Sequence, residues 1–217
     1  MPVPAKFPWI VLLAVVAVAG GIVAARFLVP AEQAALEPVN ATWLHAPRPL
    51  PEFELLSHSG QAFGKENLAG NWSILFFGFS NCPDVCPTTL STLNRVVGEI
   101  ARQGKRQPRV VFVSVDPMRD SVDMLAAYVP YFNPDFIGLT GELASIQDLT
   151  RGLGVAVSYS PTGQAVPGQE GEQQNYTVDH SSALFLVDPD ARLSGIFSAP
   201  HITEQIVDDY LIITGQK

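Results

Sequence analysis

Sulfur is scarce in this chain: among 217 residues there are two cysteines, Cys82 and Cys86, and three methionines. A single cysteine pair excludes the multi-bridge frameworks that staple small secreted domains. Basic residues are also few, 13 Lys and Arg against 21 Asp and Glu, for a net charge of -8. No cationic cluster exceeds the short GKRQPR run from Gly104 to Arg109. That balance offers no surface for phosphates and argues against nucleic acid as a partner. Internal repeats are absent as well, which excludes solenoids and propellers.

With 47% hydrophobic residues the chain has enough apolar material for one buried domain and a remainder. The remainder is N-terminal. From Phe7 to Ala25 the run FPWIVLLAVVAVAGGIVAA carries no charge, and beyond Arg26 it continues as Phe27-Leu28-Val29. Its length suits a bilayer core. The alternative, a cleaved leader with Ala17-Val18-Ala19 as the small-residue site, fits less well because the run outlasts a usual leader core. The expected organisation is a cytoplasmic N-terminus over 1–6, a transmembrane anchor over 7–29, a Pro/Ala/Glu linker over 30–48 and a folded domain over 49–217. The expected location is the inner (cytoplasmic) membrane, single-pass, with the domain on the periplasmic side.

Within the domain, FELLSHSGQAFGKENLAGNW reads as a small hairpin turning at Ser59-Gly60. SILFFGF, Ser73 to Phe79, is a continuous apolar run of strand length, as for a strand buried on both faces. Leu90, Leu93, Val96, Val97 and Ile100 then recur at helical spacing from Pro87 to a stop at Gly104. RVVFVSV, SVDMLAAYV, FIGL and ELASIQDLTRGLG repeat the strand-helix alternation of an α/β layered fold. VAVSYS is followed by a Gly/Gln/Pro-rich surface loop from Pro161 to Asn175; SSALFLVDP and RLSGIFS form a closing hairpin, and TEQIVDDYLIITG a last helix.

Both cysteines thus sit at a strand-to-helix junction, in FGFSNCPDVCPTT, four residues apart and on one face if the segment is helical. A helix N-terminus is expected to lower a thiol pKa and favour the thiolate. The pair has three readings: a structural disulfide, a thiol-disulfide exchange pair with one residue more than the thioredoxin motif, or two soft ligands for Cu(I) or zinc awaiting a third. A peroxidase reading of VCPTT would need proline and threonine where the chain has Phe79 and Pro83. Of four histidines, His45 falls in the linker, His58 in the first turn and His201 at a capping or surface position before the last helix. His180, in YTVDHSS, precedes a central strand and lies where open α/β sheets place their sites. A lone histidine there is otherwise structural.

FFGFSNCPDVCPTTL, VFVSVDPMRDS and YTVDHSSALFLVDP together resemble the Sco/SenC family of membrane-anchored copper proteins, from about Leu50 to the C-terminus. The resemblance implies a thioredoxin-like three-layer α/β fold with a central mixed sheet. It implies copper, Cu(I) or Cu(II), bound by Cys82, Cys86 and His180, the two cysteines forming a redox disulfide when oxidised. It implies a metallochaperone with no catalytic residues, delivering copper to the CuA site of cytochrome c oxidase subunit II or another copper or thiol acceptor. Asp116 and Asp120 match the family's D-x-x-x-D element, and Asp179 flanks the histidine; these are expected in supporting or partner-facing roles, with Asp120 a candidate helix N-cap. Met118 beside them has two readings, a soft axial ligand or, in preference, packing filler. The nearest rival is an extracytoplasmic thiol-disulfide oxidoreductase, against which stands the lack of a proline from Asp179 to Val187.

Overall fold

A computed structural model describes residues 7–28, 37–161 and 176–216. Two compact units emerge, Met1–Leu36 and Glu37–Lys217. The first is built on helix α1, Phe7–Leu28. Its described side chains, Trp9 and those of 12–21, are apolar and exposed. No helix is long and apolar enough to cross a membrane when the described residues alone are counted. The expected N-terminal segment 1–6, residue 29 of the expected anchor, the linker before Glu37 and nearly all of the Gly/Gln-rich loop lie outside the described residues.

The second unit is a layered α/β domain. Its strands are β1 (Ala41–Pro49), β2 (Glu54–Ser57), β3 (Ala62–Gly64), β4 (Ser73–Gly78), β5 (Arg109–Ser114), β6 (Ile137–Thr140), β7 (Val157–Pro161), β8 (Tyr176–His180), β9 (Leu184–Val187) and β10 (Arg192–Phe197). Its helices are α2 (Val85–Arg102), α3 (Val122–Phe132), α4 (Leu143–Leu153) and α5 (Thr203–Ile213). Eight strands form a mixed sheet in the order β1-β10-β9-β4-β5-β6-β2-β3, and β7 pairs with β8 in a separate two-stranded sheet. Strands β4, β5 and β6 are parallel, while β9 and β2 join them antiparallel.

The apolar runs explain the layering. Alternate side chains of β4 point to opposite faces, Ile74 and Phe76 to one core cluster, Leu75 and Phe77 to the other. The first cluster is closed by α2, α3 and α5, the second by α4 and the hairpin β2–β3. Every residue of β4 is buried, as its unbroken hydrophobicity requires. The parallel order forces crossover helices, so the β4–α2 and β5–α3 loops open on the same sheet edge.

One stretch departs from the expected linker. Residues 41–49 form edge strand β1, antiparallel to β10 across the pairs Ala41 with Phe197 and Pro49 with Arg192. Its start is fixed by the buried carboxylate of Asp209 on α5, which accepts from the backbone N–H groups of Val39, Asn40 and Ala41 at 2.7–2.9 Å. Pro47 and Pro49 are tolerated because an edge strand has one unpaired side.

Candidate metal centre

Local chain geometry brings the two thiols together. Helix α2 begins at Val85, two residues before the expected start, so Cys86 lies inside its first turn and Pro87 occupies a position whose N–H has no intrahelical partner. Cys82 stays in the preceding loop, where its N–H donates to Phe79 O at 3.3 Å. The Cys86 N–H donates to Cys82 Sγ at 3.4 Å, so a backbone group of the new helix end points at the first sulfur. Both thiols are free, Cys86 buried and Cys82 half-buried. The space for Cys86 comes from Gly78: a Cβ there would lie 2.9 Å from Cys86 Sγ and 2.8 Å from the Phe112 ring.

His180 arrives from a different sheet. It ends β8, in register with Val157 of β7. Its Nε2 lies 3.5 Å from Cys86 Sγ. On the other side, Nδ1 is 2.9 Å from Ser181 O, and since a carbonyl can only accept, Nδ1 carries the proton and Nε2 turns its lone pair toward the Cys86 thiol. Phe76 and Phe79 meet the imidazole edge-on at centroid distances of 6.3 and 5.8 Å. Residue His201 supports the next turn: its Nε2–H donates to Ser182 O at 2.7 Å. That half-buried position replaces the expected surface or capping role, because Ile202 is the N-cap of α5.

The ligand atoms of Cys82, Cys86 and His180 all lie within 4.8 Å of one another. Donors held at about 2.0–2.3 Å around a common ion are separated by roughly 3.5–4 Å, so the set needs little contraction to close on a metal. Two sulfurs and an imidazole nitrogen suit a soft or borderline ion. A cleft of about 310 Å³, lined among others by Phe79, Cys82, Val85, Asp179 and His180, leaves the group reachable from solvent.

Electrostatics departs from the expected lowering of the thiol pKa. Burial pushes the Cys86 thiol well above its ordinary range, and Cys82 and Asp120 push it further, against a hydrogen bond from the Phe79 backbone. Desolvation of a buried thiolate outweighs the helix end. Burial likewise lowers His180, partly offset by the Ser181 carbonyl and Asp179, so the ring is neutral near pH 7. A metal therefore meets a ready imidazole but must displace a thiol proton.

The three aspartates stand apart from this group. Asp120 is fully buried and accepts from Ser80 N at 2.9 Å, from Ser80 Oγ, and from Ser114 Oγ at 2.6 Å. It is not the helix cap: Ser121 is, its Oγ accepting from Met124 N at 3.2 Å. The Asp120 side chain points instead at the loop carrying Cys82, whose backbone donor it satisfies. Asp116, also buried, pairs with Arg119 and accepts from Tyr176 Oη. Asp179 is exposed at the cleft rim. Met118 is 58% exposed and packs no core. Sequence reasoning missed Gly78, Ser80, Arg119 and Tyr176, although each lies inside one of the three quoted motifs: Gly78 and Ser80 in FFGFSNCPDVCPTTL, Arg119 in VFVSVDPMRDS and Tyr176 in YTVDHSSALFLVDP.

The SCO1/SenC family model matches residues 44–213. The bovine "Protein SCO2 homolog, mitochondrial" is 38% identical over 158 residues, 72% of this chain and 56% of that protein's length. Among solved structures, Arabidopsis thaliana ScoI with copper bound matches with a TM-score of 0.69 and 32% identity over 77% of this chain and 99% of that one. Yeast Sco1 with copper bound matches at 0.68 and 30% over 79% and 91%. Fold, motif order and the extent of the match agree, and the chain belongs to the SCO1/SenC family, with its thioredoxin-like fold.

Proposed function

We propose that this protein is a copper metallochaperone that takes Cu(I) or Cu(II) on Cys82, Cys86 and His180 and passes it to an acceptor, the CuA site of cytochrome c oxidase subunit II. The carrying observation is the convergence of two sulfurs and a lone-pair-bearing Nε2 within 4.8 Å beside an open cleft. The copper-bound relatives support the choice of metal. Cu(I) is served by two thiolates; the imidazole extends the site to Cu(II). Three protein ligands leave a position at which an incoming acceptor sulfur displaces a leaving one stepwise, whereas a closed four-ligand cage would trap the ion.

In this reading Asp120 holds the thiol loop, Asp116 holds the histidine hairpin, and Asp179 faces the partner. The uncharged run from Phe7 to Ala25 serves in this reading as the anchor to the inner membrane, with the domain on the periplasmic side. The test is transfer: copper-loaded protein is mixed with the metal-free soluble domain of an oxidase subunit II, and growth of the binuclear copper absorption is followed. Chaperone activity predicts stoichiometric transfer that stops in Cys82→Ser. Absence of transfer, with rapid disulfide reduction by copper-free protein that ignores loss of His180, would instead make it a thiol-disulfide oxidoreductase.

A further inference from the structure

His180 reaches the thiols from a two-stranded hairpin that lies outside the main sheet. Such a hairpin is marginal on its own and holds a side chain in place only if something outside it fixes its position. Near the hairpin's described far end, a side chain from the β5–α3 loop does so.

Arg119 is 19% exposed and forms an ion pair with Asp116, whose side chain is 1% exposed. Its Nη1 donates to the backbone carbonyl of Tyr176 at 3.3 Å, and its guanidinium stacks over the Tyr176 ring at 4.1 Å. The Tyr176 hydroxyl returns to the same Asp116 carboxylate. Tyr159, on the paired strand β7, donates to Val115 O at 2.5 Å, tying the second strand to the same loop. The guanidinium also lies 5.9 Å from the Phe79 ring, which meets the His180 imidazole edge-on. Arg119 thus touches the histidine segment by two routes, along β8 from Tyr176 and through Phe79. The neighbouring Asp120 holds Ser80, two residues before Cys82.

We propose that Arg119, clamped by Asp116, is the positioning residue that sets His180 against the thiols, so that the β5–α3 loop fixes both halves of the metal site. This rests on His180 being a copper ligand. The planar guanidinium is needed because one group must stack on a ring, donate to a carbonyl and pair with a carboxylate at once; an ammonium can do the last but not all three. Removing it loosens the imidazole without touching either sulfur. Cu(II), which needs the nitrogen, suffers; Cu(I), which two thiolates hold, does not.

The test compares Arg119→Leu, Arg119→Lys, Tyr176→Phe and His180→Ala in the full chain. Cu(I) affinity is read by chelator competition, Cu(II) affinity by titration of the sulfur-to-copper absorption band. Arg119→Leu is expected to weaken Cu(II) about tenfold or more while Cu(I) stays within about threefold, as for residues that orient metal ligands. Arg119→Lys is expected to recover part of the loss, and Tyr176→Phe, which deletes one hydroxyl and keeps the fold, to weaken Cu(II) by a smaller factor. In the His180→Ala background, Arg119→Leu should change nothing further. Equal losses for both oxidation states, or unchanged Cu(II) binding in both Arg119→Leu and Tyr176→Phe, would overturn the proposal. If Arg119→Leu does not fold, unchanged Cu(II) binding in Tyr176→Phe overturns it alone. If His180→Ala itself binds Cu(II) normally, the ligand assignment fails; if it does not and the clamp variants do, only the positioning role fails.

Discussion

The two sides of the candidate metal centre are built differently. The thiol side is local: Cys82 and Cys86 are four residues apart, seated at the end of a fully buried strand and the start of a long helix, and the loop between is held by a buried carboxylate. The histidine side is borrowed from a two-stranded hairpin, 94 residues away from Cys86 in the chain, held by an arginine, two tyrosine hydroxyls and a patch of core. Short-range geometry places the sulfurs, whereas the imidazole's place depends on long-range contacts to a separate two-stranded sheet.

This contrast can be broken from the thiol side. Asp120→Ala removes the acceptor for Ser80 N, Ser80 Oγ and Ser114 Oγ in a buried position. Leaving those donors unpaired is expected to cost about 3 kcal/mol and loosen the Cys82 loop, so that both copper oxidation states weaken together. Chemical denaturation with and without copper reads this; a variant as stable as the parent would show the loop is held otherwise. Gly78→Ala tests the seat of Cys86. The added methyl meets Cys86 Sγ and Phe112 below 3.0 Å, and overpacking of about 1–3 kcal/mol is expected together with a shifted sulfur-to-copper band.

The histidine side responds to acid. Burial lowers both His180 and His201, so below the ordinary imidazole value of about 6.5 the unfolded chain binds protons that the folded one refuses. Their neutral burial costs nothing above that value, and stability falls as pH drops through the window beneath it. Cys86, pushed up by burial, acts in the opposite window: its contribution is complete below the ordinary thiol value and fades as pH rises above it. Thermal melts of copper-free protein should therefore drop from pH 7.5 to 5.5, by less in His180→Asn. An identical drop in that variant would take His180 out of the explanation. Copper affinity should also weaken on acidification, because a ligating thiol gives up its proton.

The same contrast governs how much could be read from the sequence. SILFFGF announced a central strand by its unbroken hydrophobicity, and the thiol loop, α2 and the β9–β10 hairpin followed from local period and turn chemistry. The convergence of His180 rested on family resemblance, since periodicity alone left it structural. β1 reads as linker in the sequence because its polar, proline-bearing stretch gains strand character only from β10, about 150 residues further on. Asp120 reads as a cap because N-capping is visible locally, while Ser80, which it holds together with Ser114, lies 40 residues earlier. The thiol pKa failed for a related reason: a helix N-terminus shows in sequence, but the desolvation that outweighs it depends on the packed core around Cys86.

The most direct measurement titrates copper into the reduced, metal-free chain and its His180→Ala variant, following the sulfur-to-copper absorption band for Cu(II) and chelator competition for Cu(I). The account predicts that the variant loses Cu(II) and its band while still holding Cu(I) on Cys82 and Cys86. Equal Cu(II) retention with an unchanged band would contradict it.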